Sequence, residues 1–314
     1  MSEFGLSPLK RLRQSGVTPA HSLGQNFLID ANILGVIERL AGLAANDIIL
    51  EVGPGAGVLT GRLLERCGLV HAIEIDPRLT AMLKEEFAGR ANFRLIESDA
   101  LKLSFAGLDP PPSKFVANLP YSVAAPLVMK SLRELPGMKR WCLMLQKEIG
   151  DRLFARPGTA AYAGVSVMMQ LLTEKIASRP LPETVFYPQP RVRSTLLAFR
   201  RRSGARYASS NFAAVKELVY ACFSHRRKTL ANSLAADAAG RRPPALAGQG
   251  PDEIKNIAER LLVRLGLDAN ARAAQLAPGQ HERLAQLIIE NVEGPESHTN
   301  GIGNAAQSPH EQPA

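Results

Sequence analysis

The chain has 314 residues, 46% of them hydrophobic, with 38 Lys+Arg against 29 Asp+Glu for a net charge of +9. That length suits about two domains of ~100–200 residues each, and so apolar a composition excludes a mostly disordered chain. No apolar run approaches the ~20 residues that span a bilayer, and the opening MSEFGLSPLKRLRQSG lacks the apolar stretch of a secretory signal. Cys67, Cys142 and Cys222 are odd in number and without CxxC spacing, which argues against both a disulfide framework and a zinc site.

In chain order, Ile33, Leu34, Ile37, Leu40 and Ala41 fall at helical spacing in a first helix. Strand-like runs follow at Ile48–Val52, Val70–Ile75, Phe93–Ile96, Lys114–Ala117 and Cys142–Leu145, with helical stretches such as Leu79–Phe87 and Pro126–Leu135 between them. Strands alternating with helices predict an α/β fold with a parallel, doubly wound sheet. Ser194–Phe199 is a further expected strand, at an edge or antiparallel. Residues 191–242 carry twelve Lys/Arg against only Glu217 and Asp237, a local charge of +10, so the rest of the chain sums to −1. So dense a block points to an anionic partner more than to a merely solvated face. After the RRRSGAR stretch at 200–206, Phe212–Phe223, Lys228–Ala239, Asp252–Leu265 and Gly279–Val292 all read as helices. The expected division is a flexible extension over 1–20, an α/β domain over 21–203, an all-helical domain over 204–292 and a disordered tail over 293–314.

The run Ile49-Leu50-Glu51-Val52-Gly53-Pro54-Gly55-Ala56-Gly57-Val58 reads as a strand, a glycine turn and a helix start. Glycines there allow positive φ and close approach of a ligand to bare backbone. The dinucleotide fingerprint needs a third glycine where this chain has Val58, so the spacing is G-x-G-x-G. In open α/β sheets ligands bind beyond the carboxyl ends of the strands. Glu74 closes the second strand, where a carboxylate can accept ribose hydroxyls. Asp99 follows the third and can accept an adenine amine, and Asn118 follows the fourth. Each has a plain structural alternative: a surface acid for Glu74, a cap for Asp99 and a turn before Pro120 for Asn118. Together they favour an adenosine-containing cofactor.

Asn118-Leu119-Pro120-Tyr121 narrows the chemistry. Pro120 stiffens the turn and biases Leu119 to an extended conformation, Tyr121 offers a stacking face, and Asn118 offers a neutral acceptor. That set suits an exocyclic amine on a nucleobase. Such an amine is a poor nucleophile because its lone pair is delocalised, and a sulfonium methyl donor compensates by being a reactive electrophile.

NLPY after an EVGPGAG loop resembles an S-adenosylmethionine-dependent N6-adenine methyltransferase. With Leu23-Gly24-Gln25-Asn26-Phe27-Leu28, MLQKE at 144–148, VFYPQPRVRS at 185–194 and RRKTL at 226–230, it resembles the ribosomal RNA adenine dimethyltransferase family, in its small-subunit branch, from about His21 to Leu287. The resemblance implies a Rossmann-like class I S-adenosylmethionine methyltransferase sheet with a small all-helical C-terminal domain that binds RNA. It implies S-adenosylmethionine as cofactor, contacted by Asn26, Leu28, Gly53, Gly55, Glu74, Asp99 and Asn118. Asn118 with the Leu119 or Pro120 carbonyl would bind the target N6, and Tyr121 and Phe186 would sandwich the target base. The implied substrate is a pair of adjacent adenosines near the 3′ end of 16S rRNA, each dimethylated, in the cytoplasm and by a monomer. Arg191 and Arg193 are expected to meet RNA. Arg226, Arg227 and Lys228 are expected at RNA or, equally, at the seam between domains. His21 and Ser122-Val123-Ala124-Ala125 depart from the family pattern without touching the acceptor groups.

Two other function classes remain. A non-catalytic ribosome-assembly factor would not need the intact NLPY and glycine loop, and a dinucleotide-dependent oxidoreductase is disfavoured by Val58. Within the enzyme class, the alternative is a large-subunit rRNA methyltransferase of the antibiotic-resistance type.

Overall fold

Apolar runs too short to be core helices, separated by amphipathic ones, build a seven-stranded sheet with a helical layer on each face. The computed structural model describes residues 25–204, 212–236 and 243–293. The expected extension over 1–20 and the tail from residue 294 lie outside them. The chain divides into two units, Met1–Phe212 and Ala213–Ala314.

In the first unit the elements run β1 (Phe27–Leu28), α1 (Ala31–Ala41), β2 (Ile48–Val52), α2 (Val58–Arg66), β3 (Leu69–Glu74), α3 (Pro77–Glu86), β4 (Phe93–Glu97) and β5 (Lys114–Asn118). They continue through α4 (Ala124–Glu134), β6 (Arg140–Gln146), α5 (Lys147–Leu153), α6 (Gly164–Leu172), β7 (Thr173–Leu181), β8 (Phe186–Tyr187) and β9 (Ser194–Arg201). The sheet order is β4-β3-β2-β5-β6-β9-β7. Its first five strands are parallel, whereas β9 runs antiparallel to both β6 and β7. Alternate residues of β2 feed opposite cores: Leu50 and Val52 pack with α4, while Ile49 packs with α1 and α2. This two-sided burial explains the near-continuous apolar reading of the parallel strands.

Ser194–Arg201 is antiparallel but not an edge, because β7 covers it. The β7 sequence, TEKIASRPL, carries Glu174, Lys175, Arg179 and Pro180, the composition an edge strand tolerates and a sequence pattern hides. The charged block is also partly consumed by the fold. Arg201 lies over Trp141 and donates to the carbonyls of Leu132, Leu135 and Met138. Arg200 pairs with Glu174, and Arg202 donates to the carbonyls of Gln170 and Thr173.

The second unit is helical in its described residues: α7 (Phe212–Cys222, which starts at the last residue of the first unit), α8 (Leu230–Ala235), α9 (Pro251–Arg264) and α10 (Pro278–Glu293). Thr229 caps α8 by accepting the Asn232 N–H at 3.3 Å, and residues 237–239 of the expected helix lie outside the described set. Leu218, Leu230, Ile254, Leu262, Leu284 and Ile288 are buried. Among the described residues no helix is long and apolar enough to cross a membrane.

Candidate active site

The carboxyl ends of β2, β3 and β5 meet around one cleft. Leaving β2, the Gly53 N–H donates to the Ile73 carbonyl at 2.9 Å. At Gly55 φ is +58°, and a Cβ there would stand 2.6 Å from the Phe27 ring, so only glycine fits. This conformation aims the Gly55 N–H at Glu74 Oε2, at 3.3 Å. Glu74 Oε1 accepts the N–H groups of Ile75 and Asp76, both at 3.0 Å. Burial nevertheless raises the Glu74 carboxyl above the usual carboxylate range, against the opposing pull of those three N–H groups.

A second layer comes from the N-terminal strap. Phe27 and Leu28 pair antiparallel with Tyr187 and Phe186, and the Ile29 N–H donates to the Val185 carbonyl at 2.9 Å. Gln25 Nε2 donates to Asp76 Oδ2 at 3.2 Å. Asp76 is itself clamped by the Arg78 guanidinium at 3.0 and 2.7 Å, which holds its carboxyl down at about 2. Between these anchors, the Asn26 carbonyl accepts Asn118 Nδ2 at 2.7 Å. A carbonyl can only accept, so the Asn118 amide must present its NH2 group to Asn26, which determines the side on which its oxygen lies. Next along the chain, the Leu119 N–H donates to the Met144 carbonyl at 3.0 Å and the Tyr121 hydroxyl bonds Ser194 Oγ at 2.7 Å.

Asn26, Leu28, Gly53, Gly55, Glu74, Asn118, Leu119, Pro120 and Tyr121 thus line one open cleft. Two expected site residues stand apart from its lining. Asp99 closes the turn after β4, its Oδ1 accepting the Leu101 N–H at 2.9 Å. Phe186 is 2% exposed and packs with Leu28, Leu181 and Val185 in the core, because pairing with β1 turns its ring inward. The stacking role expected for Phe186 therefore does not hold in this conformation. Arg191 and Arg193 are exposed in the segment between β8 and β9, and Arg226, Arg227 and Lys228 are exposed just before α8. Glu51, a carboxylate inside an otherwise apolar strand, also lines the cleft, a placement that the sequence reading does not anticipate. Its isolation among Ile49, Leu50 and Val52 is the signal that could have found it.

A family model described as Ribosomal RNA adenine dimethylase matches residues 18–262. The chain is 41% identical over 270 residues to Ribosomal RNA small subunit methyltransferase A of Rubrobacter xylanophilus, covering 86% of this chain and 95% of that protein. It is likewise 41% identical over 258 residues to the protein of that name from Moorella thermoacetica, covering 78% and 89%. Among solved structures, a dimethyladenosine transferase from Plasmodium falciparum superposes with a TM-score of 0.67 at 26% identity, over 82% of this chain and 95% of that one. The 23S rRNA methyltransferase ErmE gives 0.60 at 26% identity, over 84% and 99%. The first unit accordingly has the class I S-adenosylmethionine methyltransferase fold. With a matching family model over most of its length, and relatives aligned nearly end to end, the chain belongs to the ribosomal RNA adenine dimethylase family.

Proposed function

We propose that this protein dimethylates N6 of two adjacent adenosines in a loop near the 3′ end of 16S rRNA within the small ribosomal subunit, using S-adenosylmethionine. It would act as a monomer in the cytoplasm. The observation that carries this reading is the pinned Asn118 amide at the head of NLPY, in the same cleft as the glycine loop and Glu74. The donor set fits the cofactor: bare backbone at Gly53 and Gly55, a ribose-type acceptor in Glu74, and a buried acid, Glu51, whose Oε2 lacks a partner among the described residues.

S-adenosylmethionine supplies, when bound, an electrophilic methyl group on a sulfonium. Asn26, Leu28, Gly53 and Gly55 would hold its methionine side, and Glu74 its ribose. Asp99 would take its adenine amine with the oxygen that does not close the turn. Asn118 Oδ1 would accept one hydrogen of the target amine. The Pro120 carbonyl already accepts the Val123 N–H at 3.2 Å, which favours Leu119 as the second acceptor. Two acceptors localise the amine's lone pair toward the methyl group, and neither need act as a strong base. Tyr121 would stack on the extruded base, worth about 1–3 kcal/mol against the cost of unstacking. Phe186 instead supports the strap from the core side. Arg191, Arg193, Arg226, Arg227 and Lys228 would contact the rRNA backbone, with the helical unit as an RNA-binding domain.

The test is incubation with radiolabelled S-adenosylmethionine and either undermethylated small subunits or large subunits, in parallel, followed by nucleoside analysis. N6,N6-dimethyladenosine in 16S rRNA is expected. Label confined to large-subunit rRNA would transfer the assignment to the ErmE-like activity, and no label at all would refute catalysis.

A further inference from the structure

Glu51 is 1% exposed and lines the cleft beside Glu74. Among the described residues its Oε2 has no hydrogen-bond partner, and although Thr60 stands close enough to favour the ionised form somewhat, the Thr60 hydroxyl completes no hydrogen bond among them either. The charged group facing it is Glu74, at the end of β3. The other residues lining the cleft carry no charge, among them Gly53 and Gly55 from the loop, Leu59 from α2, Asn118 from β5, and Asn26 and Leu28 from the strap. An ionised carboxylate in such a place would be desolvated and opposed by a like charge, so the proton stays on. Burial, with Glu74 adding to it, pushes the Glu51 carboxyl up to about 8.

We propose that Glu51 is neutral while the cleft is empty and surrenders its proton to solvent when a positively charged methyl donor enters, so that cofactor capture is coupled to proton release. The inference rests on reading the cleft as the S-adenosylmethionine site. The exchange balances simply: the acid loses H⁺ to a buffer base, and the resulting carboxylate faces the ligand's cation. Two groups on this ligand can supply that cation, its sulfonium and its ammonium.

Calorimetric titration of the full chain with S-adenosylmethionine at pH 7, in buffers of differing ionisation enthalpy, reads the protons directly. Wild type is expected to release close to one proton, and Glu51→Gln, an isostere of the neutral acid, none. The wild-type Kd should tighten about tenfold from pH 6 to pH 7, with the variant's changing far less. S-adenosylhomocysteine, which lacks the sulfonium charge, separates the two cations: release retained supports the ammonium as partner, release lost supports the sulfonium. Equal proton release by wild type and Glu51→Gln would overturn the proposal, as would wild-type binding without release, a measurement that does not depend on the variant folding. Failure of wild type to bind S-adenosylmethionine in any buffer would instead overturn the cofactor assignment, and this proposal with it.

Discussion

Asn118 Nδ2 donates to the Asn26 carbonyl at 2.7 Å, joining the end of β5 to a residue 92 positions earlier in the chain. The bond orients the amide before any substrate arrives, so the acceptor oxygen need not search for its position. Asn118→Ala removes both the tether and the acceptor. Methyl transfer should fall by on the order of 10²–10³-fold or more, with cofactor Kd changed far less. Single-turnover rates alongside equilibrium binding check this, and full turnover by the variant would refute the role.

Tyr121 separates stacking from hydrogen bonding. Tyr121→Phe forfeits only the bond to Ser194, worth ~1 kcal/mol, so it should stay within about fivefold of wild type. Tyr121→Ala should lose about 1–3 kcal/mol of base stacking. Comparable rates in the two variants would remove Tyr121 from base recognition.

Gly55→Ala places a methyl group against the Phe27 ring at a φ of +58°. The fold should lose about 1–3 kcal/mol in denaturant titrations, and cofactor affinity should fall with it as the Gly55 N–H leaves Glu74. An unshifted denaturation midpoint would show that the strap moves aside without cost.

His281 sets an acid limit on the helical unit. It is 1% exposed, it donates from Nε2 to the Ala273 carbonyl at 2.9 Å, and burial lowers its pKa from 6.5 to about 4. The unfolded chain therefore binds a proton that the folded chain refuses. Stability should be undiminished above pH 6.5 and fall as pH drops toward 4, by roughly 3 kcal/mol at most. His281→Gln keeps a donor without titrating there, and its stability profile over that window should be flatter. Parallel profiles would place the acid sensitivity elsewhere.

Charge removal at Arg226, Arg227 and Lys228 should weaken rRNA binding and reduce the salt slope by close to one for each phosphate no longer neutralised. An unchanged slope would assign the three side chains to the fold.

The parallel strands and the glycine loop were legible because burial on both faces demands continuous apolar runs and a tight turn demands glycine. β7 was not, since an edge strand needs only one good face and here carries charge and Pro180. The cleft residues Asn26, Glu74 and Asn118 could be proposed from strand ends and motif alone, but the register between β1 and β8 could not. That register turns Phe186 into the core while Tyr187 stays 38% exposed. The +10 block misled in part for the same reason: a guanidinium over Trp141 and one in solvent look alike in a string of letters.

The pairing of β1 with β8 also orders events during synthesis. Phe27 and Leu28 leave the ribosome early, yet the strand that holds them follows only after β7. Until Tyr187 has emerged, a nascent chain can assemble its parallel strands but cannot anchor the strap against β8. Methyl-donor capture should therefore be a late acquisition of the growing polypeptide, absent from chains arrested after β6 even where their sheet has formed.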